Sequence, residues 1–167
     1  KDNWSVDNGA GIYLKNSTLN INNMNVNYNF SENKGGAFYL DDSEGIIENS
    51  TFEVNDSEDY AGALCLINSD LTIFNSKFSE NSSDEYAGAI NVDESIFYMD
   101  NVDVIGNEGE EFGGGLVIHP GSNVTIKNSK FIDNETGSGG FGGAIQVNAN
   151  PAYQTTLRIE KSIIANN

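Results

Sequence analysis

Gly35-Gly36-Ala37-Phe38-Tyr39-Leu40 returns along this chain as Ala61-Gly62-Ala63-Leu64-Cys65-Leu66 and Ala87-Gly88-Ala89-Ile90-Asn91-Val92. It returns again as Gly113-Gly114-Gly115-Leu116-Val117-Ile118 and Gly142-Gly143-Ala144-Ile145-Gln146-Val147. A first copy, Gly9-Ala10-Gly11-Ile12-Tyr13-Leu14, has Ala10 in the middle small position. From Ala10 through Gly36, Gly62, Gly88 and Gly114 to Gly143 the steps are 26, 26, 26, 26 and 29 residues. A fixed period of this length is the signature of a solenoid, in which each repeat can bury its apolar face only against its neighbours.

A second column runs in phase with the glycines. An apolar residue three before an asparagine gives Val26/Asn29, Phe52/Asn55, Phe78/Asn81, Val104/Asn107, Phe131/Asn134 and Ile164/Asn167. Between the two columns lie short apolar alternations, such as Phe38/Leu40, Leu71/Ile73 and Phe97/Met99. Spacing of two turns one face of a strand inward. The pattern predicts an all-β, right-handed parallel β-helix of six coils with about 26 residues and three strands per coil. One spacing of about 4.8 Å per coil gives a rod roughly 29 Å long. Residues 1–167 read as a single β-helix segment, a piece of a longer solenoid, because neither end carries a polar cap.

A further asparagine column, Asn23, Asn49, Asn75, Asn101 and Asn128, stands three residues before the third-strand apolar position, with Lys161 in the sixth repeat. Stacked amides can both donate and accept along a rod, and asparagine tolerates the left-handed backbone of a corner. Both columns are therefore expected to be structural ladders: Asn23, Asn49, Asn75, Asn101 and Asn128, and Asn29, Asn55, Asn81, Asn107 and Asn134.

Glycine-glycine-alanine-isoleucine in phase with Phe-x-x-Asn resembles the repeat of the polymorphic outer membrane proteins, related to repeats in adhesin-like surface proteins of methanogens and protists. The likeness spans all six coils, with Val26, Val104 and Ile164 replacing the phenylalanine. It implies a pectin-lyase-like parallel β-helix at a cell surface or outside the cell, serving as an adhesion or structural scaffold. Surface proteins, glycans or neighbouring copies in a surface assembly would then be its partners. The alternative it implies is a polysaccharide lyase or glycosidase whose active site lies outside this segment.

The net charge of −17 lacks the basic footprint of a nucleic-acid binder. No run of 18 apolar residues suggests membrane insertion by this segment. The single cysteine, Cys65, reads as a small strand residue, and the single histidine, His119, as a turn residue beside Pro120 and Gly121. The outward positions of the first strand (Tyr13, Tyr39, Cys65, Asn91, Val117 and Gln146) contain no carboxylate pair for acid/base work, so no catalytic residue is expected here. No cofactor is expected either, apart from Ca²⁺ as follows.

Past each ladder asparagine, acids recur in two adjacent columns: Glu32, Glu58, Asp84 and Glu110, then Asn33, Asp59, Glu85 and Glu111. Stacked coils would set these carboxylates about 5 Å apart. They form either a solvated ridge or weak oxygen-only Ca²⁺ ligands at Glu58, Asp59, Asp84, Glu85, Glu110 and Glu111. Tyr60, Tyr86, Phe112 and Phe141 make an aromatic column beside them, read as corner packing or as a carbohydrate platform.

Eight Asn-x-Ser/Thr sequons begin at Asn3, Asn16, Asn29, Asn49, Asn55, Asn81, Asn123 and Asn134, more than 25 asparagines and 23 serines and threonines would give at random. Asn16 and Asn123 lie in turns outside the ladders. They are the expected glycan acceptors of a glycoprotein.

Overall fold

A computed structural model describes residues 1–167. Its 24 strands form four six-stranded parallel sheets, and within each sheet every strand pairs with its equivalents in the coils before and after. The third coil shows the path: Leu64–Ile67 on the first sheet, Asp70–Phe74 on the second, Lys77–Ser79 on the third, Ser82–Ser83 on the fourth. Each coil thus has four strands rather than three. The additional strand has only two residues, too few to carry an apolar alternation that a period-two search could find.

Register is fixed by the repeat. Leu64 pairs with Phe38 and Ile90, Ile73 with Ile47 and Met99, and Phe78 with Phe52 and Val104. These inward residues form one core of 26 buried residues running through the rod. Phe52 and Phe78 stack at 4.6 Å between ring centroids, and Phe38 meets Phe52 edge-on at 5.1 Å. Truncating such a ring to alanine costs about 3–5 kcal/mol.

Each of the four corners is turned by one residue in the left-handed region. Between the third and fourth sheets these are Asp2, Tyr28, Val54, Glu80, Gly106, Asp133 and Asn166; between the second and third they are Asn23, Asn49, Asn75, Asn101, Asn128 and Lys161. Asn16, Asp42, Asn68, Glu94 and Gly121 turn the chain from the first sheet to the second. Gly9, Gly35, Ala61, Ala87, Gly113 and Gly142 turn it from the fourth back to the first. The next residue is what distinguishes the corners: serine at two of them (with Met24 and Val102 as exceptions), asparagine at the third, and glycine at the fourth, except Ala10 in the first coil. The glycine is a spatial requirement, because a Cβ on Gly62 would strike the carbonyl oxygens of Asn55, Ser82 and Gly88.

Candidate functional site

The Phe-x-x-Asn asparagines turn inward and are sealed from water, with Asn55, Asn81, Asn107 and Asn134 all at 0% exposure. The Nδ2 of Asn55 donates to Asn81 Oδ1 at 2.9 Å and to the Val26 carbonyl at 3.0 Å. Asn81 Oδ1 also accepts the Asn55 backbone N–H at 3.0 Å. Both amide hydrogens and both lone pairs are then used, which is what makes a buried amide affordable. The same bond continues from Asn3 to Asn29, Asn29 to Asn55, Asn81 to Asn107, Asn107 to Asn134 and Asn134 to Asn167.

The other asparagine column behaves differently. Asn23, Asn49, Asn75, Asn101 and Asn128 are exposed and have positive φ. One like-to-like bond forms among them, Asn101 Nδ2 to Asn75 Oδ1 at 2.9 Å, whereas Asn49 donates to Asn22 and Asn128 to Asp100. Their contribution is the left-handed backbone, for which Lys161 serves as well. The ladder at this corner belongs to the next residue. Ser50 Oγ accepts the Met24 N–H at 3.1 Å and donates to the Glu48 carbonyl at 2.7 Å, and Ser76 Oγ accepts from Ser50. At the preceding corner Ser43 accepts from Ser17, Ser69 from Ser43, and Ser95 from Ser69. Serine recurring at the 26-residue step is the sequence signal for both columns.

The outward face of the first sheet is not free. Tyr39, Cys65, Asn91 and Val117 are buried although they point away from the core. They lie under the aromatic column, forming with Ala61 and Ala87 a small second core against which Tyr60, Ile67, Tyr86 and Phe112 pack. Tyr60 stacks on Tyr86 at 4.6 Å and Tyr86 on Phe112 at 4.7 Å, with ring planes nearly parallel, and Lys34 Nζ caps Tyr60 at 4.4 Å from its centroid. Ring faces buried in one another cannot receive a sugar face. Only Phe141 at the end of the column, 61% exposed, retains an open one.

His119 closes this second core. Its ring lies 5.7 Å from Tyr86 and 6.0 Å from Tyr60, and Nε2 is 2.9 Å from Asn91 Oδ1. Asn91 Nδ2 in turn faces Cys65 Sγ at 3.7 Å. Burial lowers the imidazole pKa, partly offset by Asp93, so the neutral ring is favoured. Burial also pushes the Cys65 thiol up to about 12, leaving it an inert hydrophobe rather than a nucleophile.

The acidic loops stack in register, since the Asp59 N–H donates to the Asn33 carbonyl and the Glu111 N–H to that of Glu85. Glu58, Asp84, Glu85, Glu110 and Glu111 are exposed and Asp59 half-buried. Desolvation, then the charges of Asp59 and Glu111, raise the Glu85 pKa, so the carboxylates of that column feel one another. They line up rather than converge, and no group of three or more acids, cysteines or histidines is arranged around a common point. Single-file acids offer an ion one or two oxygens per coil, below the six to eight that Ca²⁺ takes.

The sequons divide sharply. Asn29, Asn55, Asn81 and Asn134 are buried ladder members, whereas Asn3, Asn16, Asn49 and Asn123 are exposed. Asn16 turns the corner after the first sheet, and Asn123 opens a strand of the second sheet rather than lying in the turn before it.

Against known families, residues 10–167 match the model described as a right handed beta helix region, and the chain belongs to that family. The coils therefore wind right-handed. No curated protein and no solved structure matches the chain.

Proposed function

We propose that the chain is an extracellular or cell-surface scaffold that presents side chains along a stiff rod for adhesion, with no catalysis in this segment. The observation that carries this reading is the use made of the groups most suited to chemistry. Cys65, Asn91 and His119 are spent on one another beneath stacked rings, and the inward asparagines on the ladder. What remains outside is a set of in-register columns of acids and amides, plus exposed sequons clear of the ladder at Asn16 and Asn123. Such a surface offers many shallow contacts and suits multivalent binding.

The test is to display the chain on cells that lack it and measure attachment to host cells and to glycan arrays, assaying the same glycans for cleavage. Attachment without turnover supports the scaffold reading. Release of unsaturated oligosaccharides would overturn the reading that this segment is non-catalytic.

A further inference from the structure

We infer that the outward face of the second sheet is a self-complementary surface through which two copies of this chain pair, face to face and with their rods antiparallel. The second sheet has the longest strands in the molecule, five residues in every coil, and nothing in the chain covers it. The first sheet has its roof of rings, and the third and fourth have strands of three and two residues.

Two features distinguish this face. Between Asp70 and Asp100 its middle is apolar for a solvated sheet: Ile96 is 55% exposed, Ile46 43%, and Phe74 lies against Tyr98 at 5.9 Å. An open groove of about 380 Å³ runs past Ile46, Ile96 and Tyr98. Its charge is also divided along the rod. Residues 42–49, 68–75 and 94–101 hold Asp42, Glu44, Glu48, Asp70, Glu94 and Asp100 and no base, a balance of −6. Residues 122–128 and 155–161 hold Lys127, Arg158 and Lys161 against Glu160, a balance of +2 in a chain of −17.

A two-fold axis in the plane of contact can lie along the rod or along the strands. The first sets each coil against its own copy, with Glu44 and Glu48 facing the same acids. The second reverses the coils, so the second coil meets the fifth and Glu48 faces Lys127 of the other copy, with Thr72 and Tyr98 near the axis. Like charges in apposition cost affinity and opposite charges fix orientation, so the antiparallel arrangement is selected. Lys127 is available, being held only loosely by Glu160 at 3.7 Å. Six strands about 4.8 Å apart and five residues long give roughly 460 Å² per copy. That is about 900 Å² in all, near the floor for a specific contact, so the dimer is weak and concentration-dependent. A glycan on Asn123, on the same face, would exclude it.

Sedimentation equilibrium of the chain made in a host that does not glycosylate tests this, from about 5 µM to about 500 µM. A monomer–dimer equilibrium is expected, weakened at least tenfold by Glu48→Lys or Lys127→Glu alone and restored when both changes are combined. Circular dichroism melts confirm that the variants fold, and both side chains point outward. A monomer throughout, or a dimer that neither reversal weakens or the double reversal fails to restore, overturns the assignment. Glycan capture by this groove on a chain that stays monomeric would overturn it too. The readout is independent of cell attachment, so it stands or falls separately from the adhesive reading.

Discussion

Asn55 and Asn81, 26 residues apart, hold each other by a side-chain bond of 2.9 Å and a backbone-to-side-chain bond of 3.0 Å at a site with no access to water. Asn81→Asp keeps the shape but removes both donors, facing one acceptor with another at Asn107 Oδ1 and leaving the Phe52 carbonyl without its partner at 3.1 Å. Two lost buried bonds and a buried charge are expected to cost about 3–5 kcal/mol. Chemical denaturation of wild type and variant measures it. A loss under about 1 kcal/mol would mean that water reaches the ladder.

Val54 is the one β-branched residue among the left-handed corners, with φ at 52°. The equivalent position holds Gly106 and Asn166 in other coils. Val54→Asn is expected to stabilise the fold by about 1 kcal/mol, raising the melting temperature by about 2–4 °C. An unchanged melt would show that the valine methyl groups recover the strain through contacts.

His119 faces Asp93, Lys34, Tyr60, Tyr86 and Asn91, and its folded pKa is lowered by burial. The unfolded chain therefore takes the proton first as pH falls. Its contribution is present above pH about 6.5 and diminishes below it. Thermal melts between pH 7.5 and pH 5.5, compared with His119→Gln, test this. The wild type should lose stability on acidification where the variant loses less.

Glu85 behaves oppositely. Its pKa is raised, so the folded state holds the proton more tightly than the unfolded chain, and lowering the pH through the carboxylate range relieves rather than adds strain. Glu85→Gln at neutral pH should raise the melting temperature by about 1–2 °C in low salt and less in 1 M salt, where screening acts within about 3 Å. A decrease confined to millimolar calcium would instead assign a bridging ion to this column.

In a host that modifies sequons, Asn16 is expected to carry glycan and Asn55 and Asn81 none, as read by intact-peptide mass spectrometry. Glycan on both Asn55 and Asn81 would be incompatible with the ladder geometry.

The coil length, its phase and the inward residues were legible in the sequence because each is a periodic apolar or glycine signal that solenoid packing cannot tolerate losing. Phe52, Phe78 and Gly62 are examples. The fourth strand was not, because Asp56-Ser57 and Ser82-Ser83 pair through their backbones and bury small serines rather than an apolar pair. The two serine columns escaped for a related reason. Serine is common and polar, and its meaning here lies in a 26-residue contact rather than in its neighbours. The roofed face escaped because alternation separates inward from outward but does not say what will be folded over the outward side. Tyr39 and Cys65 point out of the core and are buried all the same.

Each inward asparagine from Asn3 to Asn134 gives an amide hydrogen to the side-chain oxygen of the coil that follows it, and from Asn55 onward the other returns to a carbonyl of the coil before. The corner serines repeat that sense, taking an N–H from the coil before. Strand ladders bond in both senses, whereas the amide-to-amide bonds of this file all run from one coil to the next. The file therefore has a direction: Asn3 at the first coil only donates along it, and Asn167 at the sixth only accepts. A coil joined at one end has to offer the opposite partner from a coil joined at the other, so coils can be appended only in the native sense.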